Sequence, residues 1–249
     1  MTCELFAEGD SHVHSLDPRI KVVGAVIFSI FLVFVQQVVT LLVALSGSIA
    51  LAALARLDTK ILFKRLSIIN FFVIFVCLFL PWTLPGQAIS IPFLPDPSIR
   101  GLEAALALFL KSNAMVLFNI DLLSTSSVFA LNHAMAHLRF PNKLINLFFF
   151  SWRYLHVLED EFHKMRRAAL ARGFEPTTSL FTYRTFANIL GGLFVRSVER
   201  GERVHQAMVC RGFNGIFPLL SHFHLHKRDL VAATAFVVFL AIMAGMELL

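Results

Sequence analysis

Charge is scarce in this chain of 249 residues: 15% are Asp, Glu, Lys or Arg, while 57% are hydrophobic. Soluble globular domains carry about 25% charged residues. The deficit, with a mean hydropathy of +0.73, excludes an ordinary soluble domain and makes a bilayer the natural solvent. Cysteine is scarce too. Cys3, Cys77 and Cys210 are odd in number and widely spaced, which leaves no disulfide framework and no CxxC metal site. Positive charge is missing at the N-terminus, where Glu4, Glu8 and Asp10 stand in place of a secretory n-region and no small-residue cleavage site follows the first apolar run; no cleaved signal peptide is expected. The motifs of chemistry are missing as well. No G-x-x-x-x-G-K-[ST] loop occurs, so the chain cannot by itself bind ATP in the P-loop manner, and G-x-G-x-x-G, G-x-S-x-G and H-E-x-x-H are equally absent. Glu159, Asp160 and Glu161 are consecutive and diverge around a helix instead of converging. No catalytic residue, cofactor-binding residue or metal ligand is assigned, and the chain reads as non-catalytic.

What the chain has in quantity is long uncharged runs. Residues 22–55 carry no charge and as one helix would reach about 51 Å, well beyond the ~30 Å hydrocarbon core. A hairpin of two short spans turning at Gln36-Gln37 is expected, with a single tilted helix as the alternative. Arg56, Asp58, Lys60, Lys64 and Arg65 form a charged connection to the next run, 66–84, which holds Phe71, Phe72, Phe75 and Phe79. Pro81, Pro85, Pro92, Pro95 and Pro97 with Gly86 then read as an extended external loop. Residues 101–123 are apolar enough to cross, but their Glu103, Lys111, Asn113 and Asp121 should face other helices, not lipid. The last span, 230–248, is uncharged until Glu247 and is introduced by Lys227, Arg228 and Asp229.

The net charge of +6 could suggest nucleic acid, but in a membrane protein basic residues first mark cytoplasmic loops. With the N-terminus inside, five spans place residues 124–229 in the cytoplasm and the proline-rich loop and C-terminus outside. Twenty of the 22 Lys and Arg then lie inside, Arg100 and Lys111 being the exceptions. The chain is expected in the bacterial inner (plasma) membrane, multi-pass, with no nucleic-acid partner.

A stretch of roughly a hundred charged residues between the fourth and last spans is too long for a mere connection. Within 152–169 apolar residues recur at Leu155, Leu158, Phe162, Met165 and Ala169, the seam of an amphipathic helix that packs on this chain or on something else. Its end repeats. Ala168-Ala169-Leu170-Ala171-Arg172-Gly173-Phe174 returns 39 residues later as Ala207-Met208-Val209-Cys210-Arg211-Gly212-Phe213. Each copy makes sense as a helix terminus: Gly permits a left-handed cap and Arg in the last turn complements the dipole. An exposed guanidinium there can fork onto a carboxylate or carbonyl oxygens of a partner.

At these residues the chain resembles the T component of energy-coupling factor transporters, a branch of ABC importers marked by two Ala-Arg-Gly motifs that end cytoplasmic coupling helices. Ala171-Arg172-Gly173 matches fully; Cys210-Arg211-Gly212 departs at its first position. His14-Ser15-Leu16-Asp17-Pro18-Arg19-Ile20-Lys21 is similar to the family's segment before its first span. Length and this segment look most like the cobalt-type, CbiQ group, with nickel-type and vitamin relatives as alternatives. The resemblance implies an all-α, polytopic scaffold of about five transmembrane helices with a cytoplasmic coupling module. Residues 1–123 would form the N-terminal membrane domain with about four spans, residues 124–229 the module, and residues 230–249 the last span. It implies two cytoplasmic P-loop ATPase subunits contacting Ala171, Arg172, Gly173, Cys210, Arg211 and Gly212, and a separate substrate-binding membrane subunit.

Two features invite other chemistry. His133 and His137 lie four apart on an expected helix, and His222, His224 and His226 alternate; either set could ligate a transition metal, though interfacial or surface histidines are the commoner outcome. Asp121, Lys111 and Glu103 could line an ion path in a self-sufficient channel or secondary carrier, the alternative being paired charges at a helix interface.

Overall fold

The computed structural model describes residues 11, 13, 14, 16–85, 98–138, 140–215 and 227–248, and within them the chain is all-α. Helix α1 (Pro18–Phe34) starts where Asp17 accepts a hydrogen bond from Arg19 N at 2.9 Å. Pro18 takes its first position, where a missing N–H costs nothing. Extended backbone at Val35 and Gln37 ends α1 and begins α2 (Val38–Ala55), so the uncharged run breaks at the two glutamines.

Helix α3 (Thr59–Thr83) begins earlier than its apolar run. Asp58 caps it through Lys60 N, and Lys60, Lys64 and Arg65, read from sequence as a connection, occupy its first two turns. Long basic stems let such a helix leave the hydrocarbon with its charged heads in water. Pro81, assigned to the loop, lies in the last turn of α3, where it forfeits only one helical bond. Its carbonyl accepts from Ser98 N at 2.9 Å and so ties α3 to α4 (Ile99–Leu123). The loop expected around Pro92, Pro95 and Pro97 lies outside the described residues.

The remaining helices are α5 (Val128–His137), α6 (Asn142–Ala171), α7 (Leu180–Cys210) and α8 (Lys227–Leu248). The chain divides into two compact units, residues 1–134 with 223–249, and residues 135–222.

In the first unit α4 packs against α1, α2 and α3, and α8 against α1 and α2. Phe28 of α1 stacks on Phe118 of α4 at 3.9 Å, and Phe118 on Phe236 of α8 at 5.7 Å. Small residues close the α2–α4 contact, where Ala44 and Ala114 are fully buried and Ser48 Oγ donates to the Ala114 carbonyl; close approach of this kind drives association in lipid. Asn70 and Asn113 exchange reciprocal amide bonds at 3.0 and 2.9 Å between α3 and α4. Lys111 Nζ donates to the Val33 carbonyl near the end of α1, and Asp121 is wholly buried. Three of the four polar residues of this span thus face other helices. Glu103 does not: it is exposed near the N-terminal end of α4, where the helix dipole favours a carboxylate.

Four described helices, Val38–Ala55, Thr59–Thr83, Ile99–Leu123 and Arg228–Glu247, are long and apolar enough to cross a membrane. Helix α1 has 17 residues. It nevertheless runs parallel to α8 over the same depth: Asp17 N donates to Asp229 at the base, and Gln36 N to Glu247 at the top. The outward face of α3 carries Phe63, Ile68, Phe71, Phe72 and Phe75, all strongly exposed, as lipid-facing residues should be.

In the second unit α6 and α7 run antiparallel. Glu161 binds Arg196, and Met165 lies against Gly192, so close that a Cβ there would sit 2.9 Å from Met165 Cε. Farther along, Asn146 Nδ2 donates to the Gly215 carbonyl. No residue of α6 is fully buried, and its seam is only half covered, with Leu155 exposed. Among the described residues of this unit that stripe does not form a closed core.

Candidate functional site

The two repeated ends have one backbone. At the end of α6, Gly173 N donates to the Leu170 carbonyl at 3.0 Å and Phe174 N to the Ala169 carbonyl at 3.2 Å. At the end of α7, Gly212 N donates to Val209 at 2.9 Å and Phe213 N to Met208 at 3.0 Å. This is the paired-bond Schellman cap, and it needs a residue with positive φ after the helix. Gly173 and Gly212 supply it at φ 82° and 81°, with open space around each.

The cap aims the residues before it. Ala171 and Cys210 are the last helical residues; Arg172 and Arg211 come next at φ −91° and −93°. All six motif residues are exposed. Among the described residues neither arginine side chain has a hydrogen-bond or ion-pair partner, so each presents a free five-donor fork. Cys210 replaces Ala171 with another small side chain, which keeps the approach to the arginine open.

The two ends are not brought together. Because the helices are antiparallel, Arg172 lies at the finish of α6 while Arg211 lies near its start. The two ends differ in the setting of the phenylalanine after the glycine. Phe174 is buried, its ring 5.8 Å from Phe186 and 6.3 Å from Phe181, whereas Phe213 is half exposed and lines a groove of about 900 Å³ with Phe149, Phe150, Tyr154, Arg153 and Arg211. Sequence reasoning missed this groove. Its signal was the aromatic run Phe148-Phe149-Phe150 before Trp152 and Tyr154, on the opposite end of α6 from the motif that drew attention.

Charge is concentrated here. Residues 135–222 hold twelve Lys or Arg against six Asp or Glu, so the +6 of the whole chain resides in this unit. One acid is tied down: the hydrogen bond from Arg196 holds the Glu161 carboxyl below its ordinary value, with the fields of Arg196, Lys164 and Arg200 adding to it.

Among the described residues no group of three or more His, Cys, Asp or Glu converges as a metal site. His133 and His137 share α5; His222, His224 and His226 lie outside the described residues. In α4, Asn113 is engaged with α3 and Lys111 with α1, so these polar groups go to separate neighbours.

Comparison with known proteins bears on the whole chain. A family model described as cobalt transport protein, CbiQ, matches residues 9–222. The chain is 25% identical over 222 residues, 84% of itself and 82% of the relative, to the energy-coupling factor transporter transmembrane protein EcfT of Streptococcus equi subsp. equi. It is 28% identical over 251 residues, 95% of itself and 93% of the relative, to the protein of the same name from Bacillus selenitireducens. An uncharacterized protein of Methanocaldococcus jannaschii is 28% identical over 215 residues, covering 82% of this chain and 78% of the relative.

Proposed function

Because the chain belongs to the cobalt transport protein family, CbiQ, and is a transmembrane T component of an energy-coupling factor transporter, we propose that it transmits work from two cytoplasmic ATPase subunits to a separate substrate-binding membrane subunit. The cargo in this reading is cobalt ion; a nickel or vitamin cargo would leave this chain's role unchanged, since the cargo is held by another subunit. The observation that carries it is the pair of identically capped ends, each with an exposed arginine that has no partner among the described residues. Two equal tips at opposite ends of an antiparallel pair suit two equal subunits. Arg172 and Arg211 fork onto carboxylates or carbonyl oxygens in the two ATPases, Gly173 and Gly212 set their direction, and the small Ala171 and Cys210 allow close approach. ATP hydrolysis resides in those partners.

The side of the membrane follows from charge. In the first unit the end of α4 and the start of α8 both lie at the end where Arg19, Lys60, Lys64 and Arg65 gather. Basic residues favour the cytoplasmic face. Residues 124–229 then form the cytoplasmic module.

Purification of the tagged chain from native membranes should recover a P-loop ATPase. Losing a buried charge-assisted fork costs about 2 kcal/mol or more, so Arg172→Ala and Arg211→Ala should each cut ATPase recovery by more than tenfold and together abolish it. Unchanged recovery with the double variant would defeat the reading.

A further inference from the structure

We propose that the first unit holds one anionic phospholipid of the leaflet at its basic end. A cavity of about 630 Å³ opens between α1, α2 and α8, with Phe118 and Leu122 of α4 as its floor. Its walls are apolar, with the small residues Gly24, Gly47 and Ala235 among them. Along α8 the lining runs from Arg228 to Phe239, a rise of about 16 Å at 1.5 Å per residue. That is half of the ~30 Å hydrocarbon core, so the groove is one leaflet deep.

Its depth and lining select the occupant. A slot one leaflet deep with apolar walls suits an extended hydrocarbon chain.

The mouth supplies the charge. Arg228 lines the groove, is exposed, and among the described residues has no ion-pair or hydrogen-bond partner for its side chain. The other basic lining residue, Lys21, is buried, and its ammonium already donates to Thr125 and Ser126. Among the described residues the nearby acids are buried and already bonded: Asp229 accepts from Asp17 N, and Asp17 from Arg19 N. Arg228 is therefore the cation left to face a phosphate, which its planar fork matches. Anionic lipids concentrate in the leaflet that faces such basic residues. A zwitterionic headgroup brings its own cation and loses that advantage. Free phosphate leaves the apolar slot unfilled.

Native mass spectrometry of the full chain in detergent, titrated with phosphatidylglycerol, phosphatidylcholine or inorganic phosphate, tests this. One phosphatidylglycerol should be retained per chain, at least tenfold over phosphatidylcholine, and millimolar phosphate should not displace it. Arg228→Gln should bring its retention down to the phosphatidylcholine level, and Arg228→Lys should restore much of it. Ala235→Phe or Ala232→Phe, each filling the slot with Arg228 intact and thermal unfolding unchanged, should abolish retention. Equal retention of the two lipids, competition by phosphate, or indifference to both fillers would overturn the proposal. So would a disulfide from Ala235→Cys to the helix of a co-purified membrane subunit.

Discussion

Lys21 is the residue whose position least matches its chemistry. It is 1% exposed, yet its ammonium is fully occupied, by the Thr125 carbonyl at 3.2 Å, Thr125 Oγ1 at 3.3 Å, Ser126 Oγ at 2.9 Å and the His14 carbonyl at 3.4 Å. These bonds clamp the start of α1 to the turn after α4. A buried cation held by four acceptors is costly to delete, because the acceptors lose their partner while Asp17 and Asp229 lose a compensating charge nearby. Lys21→Met should destabilise the protein by about 2–4 kcal/mol, read as a lowered Tm in detergent, whereas an exposed control such as Lys164→Met should change it little. From sequence, Arg19 and Lys21 were legible only as charges marking a cytoplasmic edge. Position along the chain does not reveal which of two neighbouring cations points inward, since that depends on acceptors about 104 residues away.

At the scale of elements, helix existence was readable and helix edges were not. The break at Gln36-Gln37 and the glycine caps are written in local residues. The start of α3 at Thr59 is not, because its charged first turns look like a loop until lipid depth is known. The close approach of α3 and α4 also escapes a reading of one segment at a time. A Cβ on Gly101 would lie 2.6 Å from Pro81 Cα and 2.8 Å from the Leu80 carbonyl, both backbone, whereas one on Gly47 would meet only the Phe239 ring at 2.5 Å. A ring can swing and a backbone cannot. Gly101→Ala should therefore cost about 2–3 kcal/mol and Gly47→Ala less, near 1 kcal/mol, comparable by denaturant midpoint in mixed micelles. In the second unit the Glu161–Arg196 pair clips α6 to α7. Its carboxyl is lowered in the folded state, so its contribution is present above the ordinary carboxylate value of 4.5 and is lost as pH falls through the lowered one. Glu161→Gln should flatten the acid limb of the stability curve below that value; because the pair is solvent-exposed the effect should be small.

For the whole molecule, the charge asymmetry makes a claim about sidedness. Cys210 is exposed at the second tip. In a Cys3→Ser background, a membrane-impermeant maleimide should label it in inside-out vesicles and not in right-side-out ones. Labelling from the outer face would reverse the orientation and remove the contact with cytoplasmic ATPases. The amphipathic seam of α6 and the paired tips were visible in the sequence as periodicity and repetition. The aromatic groove was not, because it forms from two segments more than fifty residues apart that meet only when α6 and α7 run antiparallel.

The crossing at Met165 and Gly192 and the bond from Asn146 to the Gly215 carbonyl pin the helix pair at two places, the second just beyond Arg211. A load applied at either capped end therefore travels through both helices together, and the pair behaves as one strut.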